Sequence, residues 1–220
     1  MTGGHLEIRP ASPERWADLE RLFGPNGACA GCWCMWWRLP RAAFDAGKGE
    51  GNRRALRGRV AAGDVPGLLA YDGETPVGWV ALAPRAEYPR LGVSRILAPV
   101  DAEPVWSITC FYVARSHRRR GVTRALVEAA ERHARGAGAS ILEAYPVDPR
   151  GATASAFLYT GLASTFRAAG FEEVLRRSPT RPIVRKLLTA PRAPGARGRA
   201  PGRSTPRSSP TRPSASRRGR

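Results

Sequence analysis

The chain has 220 residues, with 36 Lys and Arg against 18 Asp and Glu and a formal net charge of +18. No apolar run approaches the roughly 18 residues that a membrane-spanning helix needs. Its four cysteines (Cys29, Cys32, Cys34 and Cys110) fall as three together and one apart, which is not the spread framework of a secreted disulfide domain.

Composition divides the chain. From Ala190 to Arg220 it is almost all Arg, Pro, Ser, Gly, Ala and Thr, too poor in apolar surface to offset the entropy of ordering it. Residues 1–189 are therefore expected to form one domain and residues 190–220 a disordered basic tail. The tail holds nine arginines, half the net charge, and would meet nucleic-acid phosphates weakly and without sequence choice. The opening MTGGHLEIRPAS has neither a basic nor an apolar signal region, so the expected location is cytoplasmic, with no membrane partner.

In chain order, LEIRPA reads as a strand, and Ser12-Pro13-Glu14 opens a helix running to Phe23. A loop dense in Cys and Trp follows, then a helix over 52–62. GLLAY and PVGWVALA flank Asp72-Gly73, a hairpin signal. VWSITCFYVA, residues 105–114, has the β-branched and aromatic content of a buried strand. A helix over 123–135, a strand over 139–147, a helix over 153–169 and two closing strands complete the domain. This order predicts an α/β mixed sheet with helices on both faces and one parallel strand–helix–strand unit.

The informative segment joins strand 105–114 to the next helix. A glycine opening a helix leaves free N–H groups that attract an anion, and nearby arginines add charge-assisted contacts. Arg118-Arg119-Arg120-Gly121-Val122-Thr123 resembles the Arg/Gln-x-x-Gly-x-Gly/Ala signature of the GNAT superfamily of N-acetyltransferases, with the bulkier Thr123 at the last position. EIRPASPE, ILEAYP and RAAGFEEV stand where that superfamily has its first strand and helix, its fifth strand and its last helix end.

The resemblance implies a fold whose two central parallel strands splay into a wedge for acetyl-CoA. It implies pantetheine contacts from the backbone of Phe111, Tyr112 and Val113 and a pyrophosphate site at Arg118, Arg119, Arg120, Gly121, Val122 and Thr123. It implies direct transfer of an acetyl group to an amine, here expected to belong to a small molecule. Dimers are common in the superfamily, so a homodimer is a further expectation. Two other readings stay open: an acyl-CoA-binding protein without turnover, and a nucleic-acid-binding protein acting through the tail.

The catalytic groups stand out less. Phe166 occupies the position where many members carry the tyrosine that protonates the leaving thiolate. Tyr159 and Ser164 are then the alternative donors, unless CoA leaves as a thiolate, and Glu143 is the candidate base. Asp148 and Glu87 read as surface carboxylates and His133 as structural. In the superfamily the segment between the first two helices covers the acceptor, so Trp33, Met35, Trp36 and Trp37 are expected to wall an acceptor pocket or pack in the core. Cys29-x-x-Cys32-x-Cys34 with Cys110 suggests zinc, but the spacing is atypical and no histidine stands close by, so no metal is expected.

Overall fold

The protein's computed structural model describes residues 6–154 and 157–188; the expected tail lies outside them. Seven strands, β1 (Leu6–Pro10), β2 (Gly67–Asp72), β3 (Thr75–Pro84), β4 (Trp106–Val113), β5 (Ile141–Ala144), β6 (Glu172–Arg176) and β7 (Pro182–Leu187), build one sheet. Its order is β1-β2-β3-β4-β5-β7-β6. Every neighbouring pair is antiparallel except β4 and β5. The helices are α1 (Trp16–Phe23), α2 (Arg41–Ala46), α3 (Glu50–Ala61), α4 (Pro89–Gly92), α5 (Val122–Gly136) and α6 (Ala163–Ala168). No described helix is long and apolar enough to cross a membrane.

The sheet is covered on both faces, which is why β2 and β3 are apolar along their whole length rather than alternating. Leu68, Ala70, Val80 and Leu82 pack with Val122, Leu126 and Ala130 of α5. Their neighbours Leu69, Tyr71, Trp79 and Ala81 pack on the other side with Leu19 and Phe23 of α1 and Leu56 and Val60 of α3. The mixed sheet, the two helical layers and the parallel β4–α5–β5 unit agree with the reading of the sequence.

Local details differ. Ser12 caps no amide, and Pro13–Arg15 form a 3-10 turn before α1 starts at Trp16. The long helix expected over 153–169 shrinks to Ala163–Ala168. The reason is a competing strand-like pairing. Val147 donates its N–H to Gly161 O at 2.8 Å and accepts from Ala163 N–H at 2.9 Å, which draws the chain before α6 against the sheet. Gly161, at φ +83°, supplies a left-handed turn there that other residues adopt only with strain. The short α2 and α4 carry no apolar period long enough to be read in the sequence.

Candidate functional site

β4 and β5 run together for only three residue pairs, Trp106–Leu142 to Ile108–Ala144. Beyond them β4 continues to Val113 while the chain after β5 turns to pair with Leu162, so the two strands part. A bulge marks the place: Ala81 opposes Cys110 but Leu82 opposes Ile108, leaving Thr109 as the extra residue of β4. The bulge resets the alternation of side chains. Ile108 and Phe111 both pack on the α5 side, while Cys110 and Tyr112 face the α1 side. The Phe111 N–H points into the parting and donates to Tyr159 O at 2.6 Å.

At the other end of the parting lies the turn before α5. Gly121 is the N-cap residue of α5 in a left-handed conformation, φ +81°, and no side chain caps the helix. The first amides of α5 therefore lack an intrahelical partner and carry the positive end of a 15-residue helix. A Cβ on Gly121 would meet nothing within 4 Å, so the approach to these amides is open. Arg118, Arg119 and Arg120 are exposed, and none pairs with a carboxylate among the described residues. Arg118 Nε reaches back to Val113 O at 3.2 Å, tying the turn to the end of β4. Val122 is buried in the core, and Thr123 is half-buried beside it. An open, uncapped helix start beside three exposed guanidiniums, none paired with a carboxylate among the described residues, suits a pyrophosphate.

The catalytic candidates separate. Tyr159 lies at the parting; burial pushes its phenol up to about 12, while Arg181 and Arg90 pull the other way. Ser164 is exposed in the first turn of α6, away from Phe111, and Phe166 is fully buried between Phe111 and Phe171. Glu143 is also buried. Its Oε1 accepts from Arg85 at 2.9 Å and from the Tyr145 hydroxyl at 2.5 Å, and its Oε2 accepts from Arg185 at 2.7 Å. Ser107 hydrogen-bonds to Tyr145 at 2.8 Å, which extends the network onto β4. Both oxygens of the Glu143 carboxylate are therefore committed to partners within the protein. Asp148 is bound by Arg176, and Glu87 by Arg38 and Arg59.

The aromatic loop divides as well. Trp33 stacks on Trp16 and Met35 is buried beside it, both in the core under α1. Trp37 turns the other way, toward Tyr88, while Trp36 packs against both clusters, edge-on to Phe44 of the first and beside Tyr88 and Tyr159 in the second. Cys34 and Cys110 lie 3.4 Å apart, with Trp79 Nε1 donating to Cys34 Sγ at 3.1 Å. Cys34's hydrogen bond and burial push the Cys110 thiol well above its ordinary range, and burial pushes Cys32 up to about 12. Both are therefore thiols rather than thiolates. Among the described residues, no group of three or more His, Cys, Asp or Glu converges on a metal position.

Residues 33–160 match the family described as "Acetyltransferase (GNAT) family". Among solved structures, a GNAT-family acetyltransferase from Listeria monocytogenes superposes with a TM-score of 0.52 at 10% identity, covering 83% of this chain and 95% of that one. The NatC complex bound to Gag peptide and CoA gives a TM-score of 0.50 at 12% identity, covering 84% of this chain and 99% of that one. These likenesses concern the fold. No curated protein matches the sequence.

Proposed function

Because this chain belongs to the GNAT family of acetyltransferases, we propose that it transfers an acetyl group from acetyl-CoA to a primary amine of a small molecule. The observation that carries the reading is the parting of β4 and β5 beside the open, uncapped start of α5 at Gly121. Arg118, Arg119, Arg120 and Gly121, with the first amides of α5 at Val122 and Thr123, hold the pyrophosphate. The backbone of Phe111, Tyr112 and Val113 lies along the pantetheine arm. Bound there, acetyl-CoA supplies the acetyl group as an activated thioester.

The chain's own groups then define the chemistry. The Phe111 N–H is the donor placed for a carbonyl oxygen at the parting, where it stabilises developing negative charge. Tyr159, held as a neutral phenol, gives a proton to the departing sulfur. Cys110 and Cys32 are kept as thiols, which disfavours either as an acyl carrier and favours direct transfer. With Glu143, Glu87 and Asp148 bound by arginines, the amine enters as its free base; the proton its nitrogen sheds as the C–N bond forms and the C–S bond breaks passes through solvent and restores the Tyr159 phenol.

Calorimetric titration with acetyl-CoA tests the reading. The intact chain is expected to bind in the micromolar range. Arg118→Ala weakens binding and melts close to the parent, while Gly121→Glu abolishes binding and loses about 1–2 kcal/mol to the strain of a side chain at φ +81°. An intact chain that shows no binding sinks the proposal.

A further inference from the structure

Most half-buried arginines of this protein have a carboxylate: Arg38 pairs with Glu87, Arg85 with Glu143 and Arg176 with Asp148. Two do not. Arg90, on α4, lays its guanidinium 3.5 Å from the centre of the Trp36 ring and keeps one terminal nitrogen, Nη1, buried without a partner. The acidic group that acts on it electrostatically, Asp45, is already bound by Arg41 and Lys48. Arg181, just before β7, donates to the neutral Thr160 hydroxyl at 3.2 Å and meets no carboxylate within ion-pair distance among the described residues. Burial disfavours the charged form of both guanidiniums.

These two arginines share one corner. The Tyr159 phenol lies within electrostatic reach of both, and Thr160, the partner of Arg181, is its neighbour in the chain. Trp37 packs in the same cluster as Tyr159 and Trp36, and its Nε1 is another buried donor without a partner. The Arg90 backbone N–H meets Trp37 O at 3.4 Å, so α4 is fixed against the aromatic loop. The corner thus collects guanidiniums, an indole N–H and a phenol, all able to donate, and the carboxylate that reaches Arg90 electrostatically, Asp45, is bound by Arg41 and Lys48. Unpaired buried donors and cations are unfavourable unless a ligand completes them.

Its position sets the ligand's identity. Tyr159 O holds the Phe111 N–H, which places the corner at the acyl end of the parting, while the anion site for CoA lies at Arg118–Gly121. The unmatched positive charge therefore faces the acceptor. Resting on the acetyltransferase reading above, we infer that the acceptor is a small amine that also bears a carboxylate, held by Arg90 and Arg181. The guanidinium forks take the carboxylate, and Trp37 and Tyr159 add donors.

The experiment compares matched pairs, an amino acid and its decarboxylated amine, with phosphoethanolamine as a third arm, reading thiol release from acetyl-CoA by the full chain. The carboxylated member is expected to be the better substrate. Arg90→Gln and Arg181→Gln are each expected to raise its KM roughly 10- to 100-fold. They leave KM for the decarboxylated amine unchanged and hold or raise the melting temperature, since each removes an unpaired buried charge. A drop in melting temperature like that of a lost core residue would mark the arginines as structural and overturn the inference. So would equal use of both members of a pair, preference for the phosphorylated arm, or acetyl-CoA binding with turnover of none of them. Failure to bind acetyl-CoA at all instead removes the acetyltransferase reading on which the inference stands.

Discussion

The Phe111 N–H and the Tyr159 carbonyl meet at 2.6 Å across the parting of β4 and β5. A carbonyl of the chain itself thus occupies the donor that a bound acyl or amide carbonyl would use. A ligand carbonyl bound here would exchange one hydrogen bond for another, so the net gain at this point is small; under the proposed function the affinity is expected to come chiefly from the Arg118–Gly121 turn. The same contact brings the Tyr159 side chain to the reacting end of the site.

Tyr159→Phe separates these two duties, because the carbonyl stays and only the phenol is lost. If the phenol is the acid for the leaving sulfur, kcat falls about 10²- to 10⁴-fold while the acetyl-CoA dissociation constant is unchanged. The pH profile adds a check. An acid must be protonated to act, and burial pushes this phenol up to about 12. The rate of the parent should therefore rise with pH as the amine loses its proton and show no descending limb up to pH about 10. A descending limb near neutrality would assign the acid to another group.

The phosphate turn is held by the sheet beneath it. A Cβ on Gly78 of β3 would lie 2.7 Å from Val122 Cγ1 and 3.2 Å from Leu126 Cδ1. Gly78→Val forces the start of α5 away from the sheet, with an expected loss of about 1–3 kcal/mol. Acetyl-CoA binding should weaken in step, since Val122 directly follows Gly121. Gly58→Ala in α3, where a Cβ meets nothing within 4 Å, is the control and should leave binding untouched. Equal binding by Gly78→Val and the parent would uncouple the turn from this packing.

The sequence disclosed what depends on local pattern. Gly121 after three arginines, set between a buried strand and an amphipathic helix, was enough to predict the uncapped helix start at Gly121, because that geometry is built from consecutive residues. The Asp72-Gly73 hairpin and the βαβ unit were legible for the same reason. What stayed hidden depends on partners distant in sequence. Glu143 reads as an alternating strand residue, and nothing nearby tells that Arg85 and Arg185 bury it. Arg90 and Arg181 look like any surface arginine until the fold shows which ones lack a carboxylate. The shortened last helix was misread because Val147, not helix propensity, decides the path of residues 158–163.

His133 gives the fold a pH dependence in the mildly acidic range. Its ring lies edge-on to Trp106 with centroids 5.8 Å apart, and burial lowers its pKa from the ordinary 6.5. The unfolded chain then binds the proton more readily than the folded one. Its contribution to stability is present above pH about 6.5 and is lost as the pH falls through the folded value. Asp101 and Asp148, held down by Arg185 and Arg176, act in a separate and lower window, below pH about 4. Melting temperatures between pH 8 and 5 should therefore decline for the parent and stay flat for His133→Phe. The same decline in both would place the titration elsewhere.

Glu143 is the position where a structural and a catalytic role give opposite results. Its side chain is 1% exposed and is shared by Arg85 and Arg185, themselves 13% and 11% exposed. Removing it leaves two buried cations short of a partner, a loss of about 3–5 kcal/mol. Glu143→Gln is expected to melt roughly 10 °C or more below the parent, at about 2–4 °C per kcal/mol for a domain of this size. Measured where the variant is still folded, kcat is expected to equal that of the parent, because Glu143 serves to hold Arg85, Tyr145 and Arg185. Replacing Arg85, Glu143 and Arg185 together by apolar residues of similar volume should recover much of the lost stability, as expected where desolvation of the charges offsets their attraction. If kcat of folded Glu143→Gln instead falls by about 10² or more, Glu143 serves as the base and the arginines act to position it.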